Sequence, residues 1–132
     1  MSTHCTIAVK TERGPYKAIY CHNDGYPEYM YPMLRDWYAT QERADALVSF
    51  GDASSIHKRL VPSQDSNHSF DHPERDVCIF YHRDRGETFN VSFYHNEVAV
   101  LDSQYYVYVF EDKAWHVYVQ GEEAWDYSEF DD

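Results

Sequence analysis

The sequence predicts an α+β domain, an antiparallel β-sheet of six or seven strands with two helices inserted after the first hairpin and packed on one face. Three observations lead there. Short runs of alternating apolar and polar, β-branched and aromatic residues occupy residues 4–22 and most of the chain after residue 76. Between them, residues 26–51 switch to apolar spacings of three and four. Gly, Pro, Asn and Asp mark most of the joins. A chain of 132 residues can bury one core, so we expect a single domain over residues 1–120 and an acidic, aromatic tail over residues 121–132.

Residues 4–11, HCTIAVKT, alternate and read as the first strand. Glu12-Arg13-Gly14-Pro15 supplies turn chemistry, and Tyr16–His22 reads as the hairpin partner. Asn23-Asp24-Gly25 then breaks the chain, with Asp24 suited to a turn that requires positive φ. Tyr26, Met30, Met33, Leu34 and Trp37 share one face at helical spacing and are expected to be the buried side of a first helix. Pro27 fits its first turn, where the missing N–H is no loss, whereas Pro32 predicts a kink or break after Met30. Thr40 suits the N-cap of a second helix that buries Ala44, Leu47 and Val48, and Gly51 suits its end.

Residues 52–76 read as a long polar surface loop with a short helical piece over Ser54–Leu60. Five strand candidates follow: Val77–His82, Phe89–His95, Glu97–Leu101, Gln104–Phe110 and Trp115–Val119. Arg83-Asp84-Arg85-Gly86, His95-Asn96 and Glu111-Asp112-Lys113 are the expected turns. In Gln104–Phe110, Tyr106, Tyr108 and Phe110 fall on one side and Tyr105, Val107 and Val109 on the other. Both sides are bulky, which places this strand centrally with cover on both faces.

Composition narrows the function. Residues 87–132 carry eleven carboxylates against one cation, Lys113, while residues 1–86 carry twelve carboxylates against ten Lys or Arg. Most of the net charge of −12 therefore lies in the last third of the chain, on strands that also hold many of its thirteen Tyr. An acidic face on a rigid scaffold repels nucleic acid and membrane surfaces and attracts basic protein grooves. We expect neither nucleic acid nor membrane as a direct partner, and leave self-association open. No apolar run approaches the roughly 20 residues of a membrane span. The N-terminus lacks the basic and hydrophobic regions of a signal peptide, so the chain reads as cytoplasmic. Cys5, Cys21 and Cys78 form no CxxC pair and read as small buried hydrophobes.

Three clusters carry candidate chemistry. Carboxylates can imitate phosphate spacing, and aromatic rings can stack on the Arg side chains of a nucleic-acid groove. On that basis Glu97, Glu111, Asp112, Glu122, Glu123, Asp126 and Glu129 are assigned as partner-binding. Arg83 and Arg85 suit a phosphate clamp, with Tyr20, Tyr26 or Tyr81 stacking a base and His22, Asp24 and His82 nearby; this is the alternative, a nucleotide-sequestering site. Finally, His22 and His82 would meet if their strands were neighbours, joined by Asp24, Asp84 and His4. Two His and a carboxylate can serve a metal-assisted phosphoester hydrolase. The run His82–Glu87, however, matches no phosphodiesterase or kinase motif and suits a turn with paired charges. We therefore expect no enzyme, no cofactor and no metal, and His57, His68 and His72 lack tight ligand spacing.

Three stretches together carry a family resemblance: Ile19-Tyr20-Cys21-His22-Asn23-Asp24-Gly25-Tyr26-Pro27-Glu28, Phe50-Gly51-Asp52-Ala53-Ser54-Ser55, and Tyr81-His82-Arg83-Asp84-Arg85-Gly86-Glu87. Spanning roughly residues 4–119, they resemble a group of small acidic proteins encoded by bacteriophages and prophages. Asn23 stands where that group usually has Trp. The resemblance implies a phage setting, in which small acidic accessory proteins counter host defences or redirect host enzymes. With the charge pattern, it leads to a non-enzymatic inhibitor of a host defence or nucleic-acid-binding protein, acting by nucleic-acid mimicry of the anti-restriction or anti-CRISPR type.

Overall fold

The computed structural model of the chain describes residues 2–124. Strands β1 (Cys5–Lys10) and β2 (Tyr16–Cys21) form the expected hairpin, in register from Cys5 opposite Cys21 to Lys10 opposite Tyr16. Helix α1 spans Pro27–Trp37 and α2 spans Gln41–Val48. Thr40 caps α2, its Oγ1 accepting the Arg43 N–H at 3.1 Å. Then come β3 (Ala53–Ser55), β4 (Ile79–Phe80), α3 (Tyr81–Arg85), β5 (Ser92–Tyr94), α4 (Glu97–Leu101), β6 (Tyr106–Glu111), β7 (Ala114–Val119) and β8 (Glu122–Glu123).

The sheet is ordered β4-β3-β2-β1-β6-β7-β8, with β5 also paired to β2. It is mixed, not wholly antiparallel: β1 pairs with β6, and β2 with β3, in parallel. Alternation predicts that a segment is a strand but carries no direction. The long crossover between β1 and β6, which includes α1 to α4, is what a parallel pair requires. On the outer edge of β2, β3 pairs at Cys21 and β5 at Tyr16–Ala18. Asp52 bridges the gap between them, accepting the Tyr20 N–H at 2.9 Å and the Asn90 side-chain amide at 2.7 Å.

Alternation along the strands sorts the core into two clusters. Ile7, Val9, Ile19, Tyr108, Phe110, Trp115 and Val117 pack with Met30 and Leu34 of α1, with Tyr38 at its C-cap, and with Leu47 and Val48 of α2. Ala8, Ala18, Val107 and Val109 look the other way and pack with Tyr16, Tyr118 and Val100 and Leu101 of α4. β6 supplies residues to both clusters, as its two bulky sides predict. Full burial of a side chain such as Leu34 or Leu47 contributes about 1.5–3 kcal/mol. Gly25 is fixed by contact: a Cβ there would lie 2.7 Å from Cys5 Cβ. Its carbonyl accepts the buried Tyr108 hydroxyl at 2.7 Å. The three cysteines are free and buried.

Several expectations are corrected. Glu97–Leu101 is a helix: Asn96 caps it by accepting the Ala99 N–H at 2.9 Å, and this local bond outweighs the β-propensity of its valines. The Val77–His82 strand is reduced to β4, and the turn expected at Arg83–Gly86 is the body of α3, closed by Gly86 in the left-handed region (φ 73°). Phe89–His95 contributes only the three residues of β5. Ser54 and Ser55 belong to a strand, not a helical piece. Helix α1 continues through Pro32 without a break; the carbonyl left without a donor belongs to Glu28, an exposed residue where water can serve it. The buried side of α1 is Met30, Tyr31 and Leu34, while Tyr26 and Trp37 are exposed. The first residues assigned to the tail, Glu122 and Glu123, pair with β7; residues 125–132 lie outside the described residues.

Candidate functional site

The β6–β7 hairpin is closed by a two-residue turn in which Asp112 (φ 55°) and Lys113 (φ 66°) are both left-handed, a conformation that matches the twist of the strands. Gln120 (φ 53°) and Gly121 (φ 84°) close the β7–β8 turn in the same way. These turns fix which side chains share a face. Glu111 ends β6 on the side of Val107 and Val109; His116 and Tyr118 of β7 point the same way, as does Glu123, which stands opposite Tyr118. Glu97, in the first turn of α4, overhangs this face.

Three carboxylates thus lie on the face that holds Tyr118. The hydroxyl of nearly buried Tyr118 is pushed up to about 12, first by burial and then by Glu123, Glu97 and Glu111. Tyr16 feels the same group, its pKa raised by burial, by Glu111 and by Glu97. Two basic side chains of the protein already serve the cluster. Lys10 Nζ lies 3.0 Å from Glu111. His116 places Nδ1 2.9 Å from Glu123 Oε2 and Nε2 3.1 Å from the Glu111 carbonyl, so both ring nitrogens face acceptors. Burial opposes protonation of this ring, but Glu123 and the Glu111 carbonyl outweigh it and the His116 pKa is raised. Beside the carboxylates, Val98 is 68% exposed and Tyr105 54% exposed. Tyr105 shares a hollow with Leu101 and Asp102.

Of the seven residues assigned from charge, Glu97, Glu111 and Glu123 therefore share the face around Tyr118, and Asp112 stands at the hairpin tip next to Glu111. Glu122 is exposed and pairs opposite Val119, whose side chain packs against the helix-side cluster. Asp126 and Glu129 lie outside the described residues. Sequence reasoning missed Lys10, Tyr16, His116 and Tyr118 as members. Alternation within Ala114–Val119 would have placed His116 and Tyr118 on one side, but nothing local shows that this side meets α4.

The other two clusters come apart. His22 stacks on His4, with ring centres 4.5 Å apart, and its Nδ1 is 2.9 Å from the Tyr20 hydroxyl. His82 bonds instead to the Glu87 carbonyl at 2.8 Å and meets the ring of Phe89 edge-on. Asp24 is exposed with φ 58°, and Tyr26 is the N-cap residue just before α1. Among the described residues no three or more His, Cys, Asp or Glu are grouped so as to hold a metal ion.

Arg83 and Arg85 do not stand free as a clamp. Arg83 donates to the carbonyls of Leu60 (2.5 Å) and Cys78 (2.8 Å) and to Asp84 (2.8 Å). Arg85 pairs with Glu87 and lies over the rings of Phe70 and Tyr81. Asp84 also accepts the Phe80 N–H at 2.8 Å and faces His68 Nε2 at 3.2 Å. His68 Nδ1 accepts the Glu74 N–H, which puts the ring proton on Nε2, toward Asp84. Burial raises the Asp84 pKa, but Arg83, the Phe80 N–H and His68 together lower it overall. The run His82–Glu87 is a clasp that ties the 56–78 loop to α3.

No protein-family model matches this sequence, and comparison with curated proteins and with solved structures gives no significant match. Among the described residues no helix is long and apolar enough to cross a membrane.

Proposed function

We propose that this chain is a non-enzymatic binding protein that engages the basic nucleic-acid-binding surface of a host protein through the face around Tyr118. In the phage setting that its motifs suggest, the partner is a host defence protein of the restriction or CRISPR type, met in the host cytoplasm. The observation that supports this most is the placement of Glu97, Glu111 and Glu123 on one face with Tyr16 and Tyr118, beside exposed Val98 and Tyr105. Glu111 stands opposite Ala114 and Glu123 opposite Tyr118 of the same strand, and His116 between them touches both, through the Glu111 carbonyl and the Glu123 carboxylate. Lys10 and His116 already bind there, which is the chemistry that a partner's Lys and Arg would supply in greater number. Release of counterions from a basic groove makes such binding tight at low salt and weak at high salt.

Affinity capture from host cytosol at low and high salt tests the reading. The expected result is a nucleic-acid-binding protein that leaves at high salt, and that a Glu97→Gln/Glu111→Gln/Glu123→Gln variant fails to retain. Equal retention by a folded triple variant would rule this face out.

A further inference from the structure

The chain's positive charge has a hollow of its own. Arg43 and Ala46 of α2 and Phe50 just after it follow at intervals of three and four, so they line one side of the helix. The segment after β3 runs past that side and completes a hollow of about 460 Å³ with Lys58, Arg59, Leu60 and Val61. The chain has 23 carboxylates against 11 Lys or Arg, yet among the described residues this lining holds three cations and no carboxylate.

The way these cations are held leaves charge for a ligand. Arg43 gives its Nε–H to the Trp37 carbonyl at 3.3 Å, and its guanidinium lies 4.8 Å from the centre of the Tyr38 ring. Lys58 Nζ lies 5.4 Å from the centre of the Trp37 ring. A carbonyl and two rings position these side chains without cancelling their charge. Neither pairs with a carboxylate among the described residues. Arg59 does, donating to Glu74 at 2.6 Å and to Ser63 at 2.9 Å. Three cations less Glu74 leave two positive charges unmatched. A hollow lined by one sign of charge over apolar walls focuses its field on an anion.

The same features select among anions. Two unmatched charges fit a phosphate monoester, with its charge of about −1.5 to −2, better than a single carboxylate. The Nη donors of Arg43 suit its several oxygens. Leu60 is buried, Ala46 and Phe50 are half-buried and Val61 is 61% exposed. Bare phosphate leaves this apolar wall wet, whereas a flat apolar body attached to it removes the wall from water.

We propose that this hollow binds an aromatic phosphate monoester, with the phosphate at Arg43 and Lys58 and the ring against Leu60 and Val61. The proposal goes beyond the face around Tyr118, since it concerns other elements and a ligand of the opposite charge.

The test titrates phenyl phosphate into the full chain and follows the Leu60 and Val61 methyl resonances. These are expected to shift saturably, with inorganic phosphate binding about fivefold more weakly. Lys58→Gln, at an exposed position, should keep the melting temperature and weaken binding up to about fivefold, and Lys58→Arg should restore it. Val61→Ser should narrow the preference for phenyl phosphate over inorganic phosphate. Adenosine monophosphate and phosphotyrosine, compared at equal concentration, then tell whether the body is a nucleobase or a tyrosine ring. Methyl resonances that stay still, or phenyl phosphate binding that Lys58→Gln leaves unchanged, would overturn the site. A short Glu-only peptide that binds as tightly as phenyl phosphate would overturn it too, by showing another occupant.

Discussion

The clasp around Asp84 and the face around Tyr118 are built from the same materials, carboxylates beside Arg, Lys, His and aromatic rings, yet they are suited to opposite tasks. Around Asp84 the charges are enclosed and matched: Asp84 is 4% exposed, Arg83 is 22% exposed, and Arg83 donates to Asp84 and to two carbonyls. Around Tyr118 Glu97, Glu111 and Glu123 lie at a surface with Lys10 and His116, in ion pairs whose side chains stay partly exposed. A charged motif suits binding when its charges stay open to solvent. Spacing in the sequence does not show which case holds.

The largest expected effect tests the enclosed side. Asp84→Ala removes the partner of Arg83 and of His68 and should cost about 3–5 kcal/mol, as breaking a buried pair does, read from the midpoint of urea unfolding. Gly25→Ala comes next, at about 1–3 kcal/mol by overpacking, because the new methyl meets Cys5 Cβ and the backbone of His4.

How far these clusters were legible depends on what each needed. The first hairpin, α2 with its Thr40 cap and the two-sided β6 follow from local periodicity and turn chemistry, and the structure has them. The parallel pairs, and the helix at Glu97–Leu101, depend on crossovers and on one capping bond, which period counting does not resolve. The face around Tyr118 was half legible. Charge composition named Glu97, Glu111 and Glu123, but Lys10, Tyr16 and His116 are joined to them only by pairing between distant strands. In the run His82–Glu87 the paired charges were expected of a turn; helix α3 instead aims them at the 56–78 loop.

A smaller effect is pH dependence, and it differs in sign between the two regions. The Asp84 pKa is lowered on folding, so its contribution is present above its unfolded value and lost as pH falls through the folded one. Thermal melts should therefore fall off below about pH 4, and Asp84→Asn should flatten that limb. The His116 pKa is raised, so its contribution is present below about pH 6.5 and fades as pH rises through the folded value; His116→Asn should remove that alkaline slope. The smallest expected effect on stability is that of Glu111→Gln with Glu123→Gln, within about 0.5–1 kcal/mol, because exposed ion pairs contribute little. Unchanged melting with lost binding is what separates this face from the clasp.

The most direct test is competition. The captured host protein is bound to a fluorescent DNA duplex and titrated with the parent chain or with the Glu97→Gln/Glu111→Gln/Glu123→Gln variant at fixed salt. The account predicts that the parent displaces the duplex, that displacement weakens as salt rises, and that the triple variant displaces it at least about tenfold less well. Displacement by the triple variant as strong as by the parent would contradict it.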